Sequence, residues 1–95
     1  VWQDAFVDGP FALDNAISVE AAHHKGIQND RAGKADILFT PDIEAGNILY
    51  KSVSFLAHAS TAAIIAGAKV PIVLTSRADS DQAKYNSILF ALALL

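Results

Sequence analysis

The last ten residues of the chain, NSILFALALL, constrain its fold more than any other feature. They predict a helix that is apolar on nearly every side, and such a helix needs packing partners all round. A chain of 95 residues, 53% hydrophobic, has too small an interior to cover so much apolar surface. We therefore predict burial of this helix against another segment or subunit, as part of a larger polypeptide and with oligomerisation also expected. The residues concerned are Ile88, Leu89, Leu92 and Leu95.

The composition excludes several other classes of protein. No uninterrupted apolar run approaches the roughly 20 residues of a membrane-spanning helix, and no basic start followed by an apolar stretch marks a secretory signal. The formal net charge of -3 gives no general attraction to nucleic acid, and without cysteine there are no disulfides and no thiolate chemistry. The three histidines stand at no metal-ligand spacing. We predict a globular cytoplasmic protein with no metal site, no nucleic-acid partner and no membrane partner.

Short apolar runs alternate with helical patterns along the chain. The runs of strand length are residues 2–7, 35–40, 61–65 and 72–75. Helical patterns run from Asp14 or Asn15 to about Lys25, from about Leu49 to near His58, and from Asp79 or Ser80 almost to the end. Gly26 follows the first of them, where a helix-ending glycine is expected. The alternation predicts an α/β fold, a layered sheet with flanking helices, without an internal domain boundary.

Two segments, TPDIEAGN and TSRADSD, place polar side chains where a ligand is expected. In open α/β sheets, ligands bind at the carboxyl ends of strands, beside the N-termini of the following helices. Arg77 offers a planar fork of donors to a phosphate or carboxylate there, next to the hydroxyl of Ser76. In the structural alternative, Ser76 or Asp79 caps the helix. Arg77 then pairs with Asp79 or Asp81 at the surface.

The segment PDIEAGNILYK supplies further candidates. Asn47 can cap a helix or bind the polar edge of a ligand, and Lys51 lies one helical turn beyond it, so that both can face the same side. In the alternative, the segment is an ordinary turn and Lys51 is solvated. Asp8 and Asp14 suit acid–base chemistry or ordinary turn formation and capping. No serine has a histidine–acid pattern and no phosphate-binding loop occurs, which indicates anion binding without a covalent nucleophile.

Three ordered blocks, VDGPFALDNAIS, AGKADILFTPDIEAGNILYK and GAKVPIVLTSRADSDQAK, resemble the C-terminal portion of phosphate acyltransferases. Within this family of phosphate acetyl- and butyryltransferases, the butyryl type is the nearer match. The resemblance covers almost all 95 residues. It implies that residues 1–95 form one C-terminal portion of a larger two-domain α/β enzyme, with an isocitrate/isopropylmalate dehydrogenase-like architecture, whose N-terminal region is absent.

The resemblance also implies a reaction and roles for individual residues. Such enzymes move an acyl group, here butyryl or a similar short chain, directly between coenzyme A and inorganic phosphate. Coenzyme A is a substrate, and no covalently bound cofactor is implied. By the same resemblance, Arg77 binds phosphate or acyl phosphate and Ser76 hydrogen-bonds the reacting group. Asn47 and Lys51 are the further substrate-binding residues.

The chain departs from the family at the catalytic base. The position matching that base holds Ala83, and Asp81 in the same helix is the acidic residue we assign to the role. The resemblance further implies a homodimer or larger homo-oligomer. Two alternatives stay open: an acyl-coenzyme A-sensing and oligomerisation module of a fused enzyme such as a malic enzyme, or a structural fragment without activity of its own.

Overall fold

The computed structural model of the chain describes residues 3–95. The backbone forms two compact units, Val1–Thr40 and Pro41–Leu95. The first unit contains helices α1 (Leu13–Ile17) and α2 (Val19–His24). The second contains α3 (Ile43–Lys51), a π-helical turn (Ser52–Leu56) and α4 (Asp81–Ala93). Within residues 3–95, none of these helices combines the length and the apolar character needed to cross a membrane.

Ser18 divides the first predicted helix into α1 and α2. Its backbone is extended, with φ of -129° and ψ of 115°, and its Oγ accepts a hydrogen bond from the Ala21 N–H (3.2 Å). Serine favours such a cap because its hydroxyl competes with the helical backbone for hydrogen bonds. The predicted glycine end of α2 is confirmed: Gly26 has φ of +70°, and the Ile27 N–H donates to the Ala22 carbonyl (3.0 Å).

Small side chains pack the first unit. Ala16, Ala22 and Ala32 are its buried apolar residues among those described. The polar segment 28–34 forms a loop with a turn at residues 30–33. The Ala35 N–H, just beyond this loop, donates to the Ala16 carbonyl of α1 (3.0 Å). The loop is therefore held against the two short helices by close backbone approach rather than by large apolar side chains.

The second unit starts with a capped helix that changes pitch. The Asp42 Oδ1 accepts from the Ala45 N–H (2.7 Å) and so caps α3, which explains why this helix begins earlier than the apolar spacing predicts. After Lys51 the helix continues as the π-helical turn, and His58, with φ of +52°, follows it. The predicted end near His58 is thus confirmed. Histidine is one of the non-glycine residues that most often adopt this left-handed backbone.

The predicted strands form no ladder within residues 3–95. Trp2 lies outside the described residues, and only an isolated antiparallel bridge joins Ile65 to Ile72, with the Ile65 N–H donating to the Ile72 carbonyl (2.9 Å). A strand is stabilised by hydrogen bonds to neighbouring strands. Side chains such as Phe39, which is 98% exposed, are also not covered by another layer of residues 3–95. The layered α/β architecture therefore stays a prediction.

α4 is the longest helix of the described chain, and its start at Ser80–Asp81 agrees with the sequence prediction. The Ser80 Oγ accepts from the Ala83 N–H (3.1 Å) and caps it. Only Ser87 and Ala91 of this helix are buried. Several of its large apolar side chains are at least half exposed, among them Ile88 (51%) and Leu92 (59%). The surplus of apolar surface expected from the sequence is therefore present on this chain.

Candidate functional site

A tight turn from Ser76 to Asp79 directly precedes α4. The Asp79 N–H donates to the Ser76 carbonyl oxygen (3.1 Å), and the Ser76 N–H donates back to Asp79 Oδ2 (2.8 Å). The Ser76 Oγ also accepts from the Ala78 N–H (3.3 Å). These bonds fix the backbone on both sides of Arg77, which stands exposed in the turn.

The Asp79 carboxylate ties this turn to α3. The side chain is only 6% exposed, and its Oδ1 accepts a hydrogen bond from the Tyr50 hydroxyl (3.1 Å). The Lys51 Nζ lies 3.7 Å from the same oxygen, within ion-pair range but beyond a normal hydrogen bond. Because an unpaired buried carboxylate is strongly unfavourable, these contacts determine where the turn and α3 meet.

The ammonium end of Lys51 faces Asp79, while 38% of the whole side chain is exposed. Its Nζ is buried and makes no hydrogen bond with residues 3–95. It lies 5.0 Å from the centre of the Tyr50 ring and 5.4 Å from that of Phe55, and aromatic faces attract a cation. The structure therefore contradicts the solvated alternative for this lysine. It brings a positive charge to the same carboxylate that Ser76 contacts.

Arg77 makes no ion pair within the described part of the chain. Both acidic residues that the structural alternative offers it have other partners: Asp79 faces Lys51, and Asp81 Oδ1 lies 3.8 Å from the Lys84 Nζ. The guanidinium is thus exposed without a carboxylate partner among residues 3–95. Its planar set of donors remains free to bind an anion in a bidentate manner.

The helix cap also differs from the structural alternative. Ser80, and neither Ser76 nor Asp79, caps α4. Asp81, the candidate base, lies in the first turn of α4 with its side chain fully exposed. No hydrogen bond within residues 3–95 links that side chain to Ser76 or Arg77.

Asn47 lies inside α3 and not at its start. Asp42 occupies the capping position, so the capping role proposed for Asn47 is wrong. The Asn47 side chain is exposed and makes no hydrogen bond within the described residues. It remains open to a ligand, one helical turn before Lys51.

An open polar depression of about 320 Å³ borders the turn and the N-terminus of α4. Backbone N–H groups at a helix start favour an anion. Half of its twelve lining residues carry a hydroxyl or an amide, and His58 and the buried Asp79 add further polar groups. The lining residues are Ser54, Phe55, His58, Ala59, Ser60, Thr61, Ala78, Asp79, Ser80, Gln82, Ala83 and Asn86. Ala83, which the sequence resemblance matches to the catalytic base, is among them, whereas Ser76, Arg77, Asn47, Lys51 and Asp81 are not.

Asp8 and Asp14 make hydrogen bonds to other residues of the first unit. A hydrogen bond from the Asn29 amide holds the pKa of Asp8 below its ordinary value of 3.8, and the Gly9 N–H acts in the same direction. The Lys25 ammonium, 2.8 Å from the carboxylate, lowers the pKa of Asp14. These contacts favour folding above pH 3.8 and are lost as the pH falls through the lower folded pKa values. They give both carboxylates structural partners, Asn29 and Lys25, within the first unit.

Sequence reasoning missed Tyr50 and the role of Asp79. Both flank named candidates: Tyr50 precedes Lys51, and Asp79 stands three residues after Ser76. The i to i+3 spacing of Ser76 and Asp79 is a signal for a carboxylate closing a turn onto a backbone N–H. Nothing local indicates the contact between Tyr50 and Asp79, because 29 positions separate them. No cluster of three or more histidine or acidic residues within residues 3–95 is arranged to hold a metal ion.

Comparison with known proteins defines the class to which this chain belongs. Residues 2–92 match the family described as "Phosphate acetyl/butaryl transferase". The chain therefore belongs to the phosphate acetyl/butyryl transferase family.

Individual relatives of both acyl types are similar to it. A phosphate acetyltransferase of Thermotoga maritima is 67% identical over 82 residues, which are 86% of this chain and 28% of the relative. A phosphate butyryltransferase of Clostridium beijerinckii is 54% identical over 85 residues, 90% of this chain and 28% of the relative. The chain thus spans less than a third of the length of these curated relatives.

A solved structure is also similar. It is the crystal structure of a branched-chain phosphotransacylase from Enterococcus faecalis V583, with a TM-score of 0.79 and 49% sequence identity. The match covers 88% of this chain and 32% of that one. Because the two sequences are 49% identical over the matched part, the similarity of their backbones reflects a shared family and not only a shared fold.

Proposed function

We propose that this chain is the C-terminal portion of a phosphate acyltransferase that moves a short acyl group between coenzyme A and inorganic phosphate. Family membership supports the reaction class. The observation that carries the proposal is the exposed Arg77, held in a closed turn before α4 and without a carboxylate partner among residues 3–95. An arginine so placed fits a phosphate or an acyl phosphate.

The proposed chemistry is direct acyl transfer. The coenzyme A sulfur, as its thiol proton passes to a base, attacks the carbonyl carbon of the acyl phosphate. A carbon–sulfur bond forms, the bond between that carbon and the phosphate oxygen breaks, and phosphate leaves with the electron pair. Positioning and charge stabilisation are sufficient for such a step, so no acyl-enzyme intermediate is needed.

The residues divide this work as follows. Arg77 binds and neutralises the phosphate, and Ser76 hydrogen-bonds the reacting group from the same turn. Asn47, exposed on α3, contacts substrate. Lys51 adds positive charge next to Asp79, behind the turn. Asp81 is the proposed base, exposed at the start of α4 and able to change partner because its contact with Lys84 is a surface ion pair.

The proposal extends to the whole enzyme. We place the chain in a two-domain α/β protein of the isocitrate/isopropylmalate dehydrogenase-like kind, with the reaction in the cleft between its domains. The enzyme acts in the cytoplasm as a homodimer or larger homo-oligomer, with coenzyme A as a substrate and no covalently bound cofactor. Similarity to both acetyl and butyryl relatives favours a short acyl group, with butyryl as our choice from the sequence blocks.

The test is steady-state kinetics on the full-length polypeptide that carries this chain, with butyryl phosphate and acetyl phosphate as alternative donors to coenzyme A. Arg77→Ala removes a charge-assisted contact to a desolvated anion, which costs about 2–4 kcal/mol in the transition state. Activity then falls by roughly 30- to 1000-fold. Arg77→Lys rescues only part of it, because an ammonium lacks the planar fork.

Lys69→Ala is the matched control, since Lys69 is an exposed cation of the same unit that makes no ion pair within residues 3–95. It should leave turnover within about twofold of the wild type, as expected for a surface charge. Wild-type activity in a correctly folded Arg77→Ala protein would contradict the proposed site. A wild-type enzyme that turns over neither donor would contradict the proposed function.

A further inference from the structure

We propose that Asp79 is a positioning residue of the acyl-transfer site. Its buried carboxylate holds the turn of Ser76 and Arg77 in the shape that presents the arginine to the phosphate. The inference rests on the function proposed for this chain and assigns a role to a residue outside its reacting groups.

The two oxygens of Asp79 have separate tasks. Oδ2 accepts the Ser76 N–H at 2.8 Å, which closes the turn from within. Oδ1 accepts the Tyr50 hydroxyl at 3.1 Å and faces the Lys51 Nζ at 3.7 Å, which fixes the carboxylate against α3. One side chain, 6% exposed, thus joins the backbone of the turn to a helix.

Tyr50 is itself held in place. Its hydroxyl oxygen lies 3.5 Å from Thr61 Oγ1, so one phenol connects α3, the segment at Thr61 and the turn. Lys51 balances the charge of the buried carboxylate, as a buried ion needs. The contacts of Asp79 with Tyr50 and Lys51 therefore hold the turn in place. Arg77, within the turn, stays exposed.

Such anchoring matters for a reaction that relies on positioning. A displacement of about 1 Å at a substrate-orienting group can cost on the order of 100-fold in rate. Without Asp79, the Ser76 N–H loses its partner and the turn keeps only the Asp79-to-Ser76 backbone bond and the weaker serine contact. We therefore expect the damage to appear at the phosphate side of the reaction, where Arg77 acts.

The experiment compares variants of the full-length enzyme. Asp79→Ala should lower kcat/KM for phosphate, in the direction that consumes butyryl-coenzyme A, by about 30- to 100-fold, with KM for the acyl-coenzyme A changed less than about twofold. Asp79→Asn should lose no more than about tenfold, less than Asp79→Ala, because its oxygen still accepts the Ser76 N–H, although the Lys51 Nζ then faces an uncharged amide. Glu44→Gln is the control, because Glu44 is an exposed carboxylate on α3. Its kcat/KM for phosphate should equal that of the wild type.

This pattern separates positioning from two other roles. If Asp79 were the catalytic base, Asp79→Asn would be as inactive as Asp79→Ala. If Asp79 only stabilised the fold, Asp79→Ala would lower the melting temperature and leave KM for phosphate and kcat unchanged in the folded fraction. Either result would overturn the inference. If Asp79→Ala fails to fold, Tyr50→Phe carries the test, with an expected rise of about threefold to tenfold in KM for phosphate.

A double-mutant cycle with Arg77→Ala makes the test stricter. Because Asp79 acts through Arg77, the double variant should be no more than about threefold worse than Arg77→Ala alone. Multiplicative losses would show that Asp79 acts independently and would sink the positioning role. Failure of the wild type to transfer acyl groups is a separate outcome, since it overturns the proposed function and the inference together.

Discussion

At Gly33, the backbone has φ of +85° and passes directly over the start of α2. A Cβ at this position would lie 2.3 Å from the Val19 nitrogen and 2.5 Å from the Ser18 carbonyl carbon. Both neighbours are backbone atoms, which cannot rotate away as a side chain can. The loop and the break between α1 and α2 therefore depend on a residue without a side chain.

Gly33→Ala should lower the free energy of unfolding by about 2–5 kcal/mol, the sum of left-handed backbone strain and a forced shift of packed atoms. Gly26→Ala is the matched control, because Gly26 also has a positive φ, +70°, but nothing lies within 4 Å of its Cβ position. It should cost only the strain, about 1–2 kcal/mol. Chemical denaturation of the full-length variants measures both, and equal losses would contradict the close approach to Val19.

Ser87 shows how an element is placed in the second unit. Only 2% of this residue is exposed, and its hydroxyl donates to the Ala83 carbonyl of α4 (2.8 Å). The same oxygen accepts the Ala63 N–H (2.9 Å), from the segment between the π-helical turn and α4. One small side chain thus joins α4 to a neighbouring segment that has no strand partner at that point within residues 3–95.

Ser87→Ala should destabilise the protein by about 1–3 kcal/mol, because the Ala63 N–H is then left without its partner. Ser60→Ala is the control: Ser60 is exposed and makes no hydrogen bond within the described residues, so its loss should cost less than about 0.5 kcal/mol. Thermal unfolding and amide hydrogen exchange at Ala63 report the two effects. Unchanged protection of that amide in Ser87→Ala would argue against the contact.

For the whole molecule, the exposed apolar surface is the dominant feature. The described chain leaves Ile37, Phe39 and Leu95 more than four-fifths exposed. So many large exposed apolar side chains indicate that other segments or subunits cover surface of this chain. Since the chain spans 28% of its Thermotoga maritima relative, we expect the rest of the proposed enzyme or a second subunit to cover α4.

The double variant Ile88→Lys/Leu92→Lys tests this at α4. In the full-length enzyme, two charges on a covered helix face should break the assembly or cause aggregation, detected by light scattering. Gln82→Lys, at an exposed polar position of the same helix, should leave the assembly unchanged. A lysine double variant with the wild-type mass and solubility would show that this face is not an interface.

The sequence by itself determined the helix ends that depend on neighbouring residues, and the family of the chain. The glycine end of α2 at Gly26 and the start of α4 at Ser80 follow from contacts between residues within five positions of each other, so their signals are contiguous in the chain. The three sequence blocks predicted the family, which the comparisons confirm. The break at Ser18 was missed although its cap is local, because the apolar pattern continues through it.

Tertiary structure alone decided the contacts between segments that are distant in the chain. Asp79 meets Tyr50 across 29 positions, and Ala63 meets Ser87 across 24, so neither pair leaves a pattern within one helix or turn. The same is true of the strands: an apolar run predicts a tendency to extend, but a ladder needs a neighbour, and within residues 3–95 only Ile65 and Ile72 supply one to each other. The sequence specifies the type of each side chain, whereas the burial of that side chain and its long-range partners depend on which distant segments pack together.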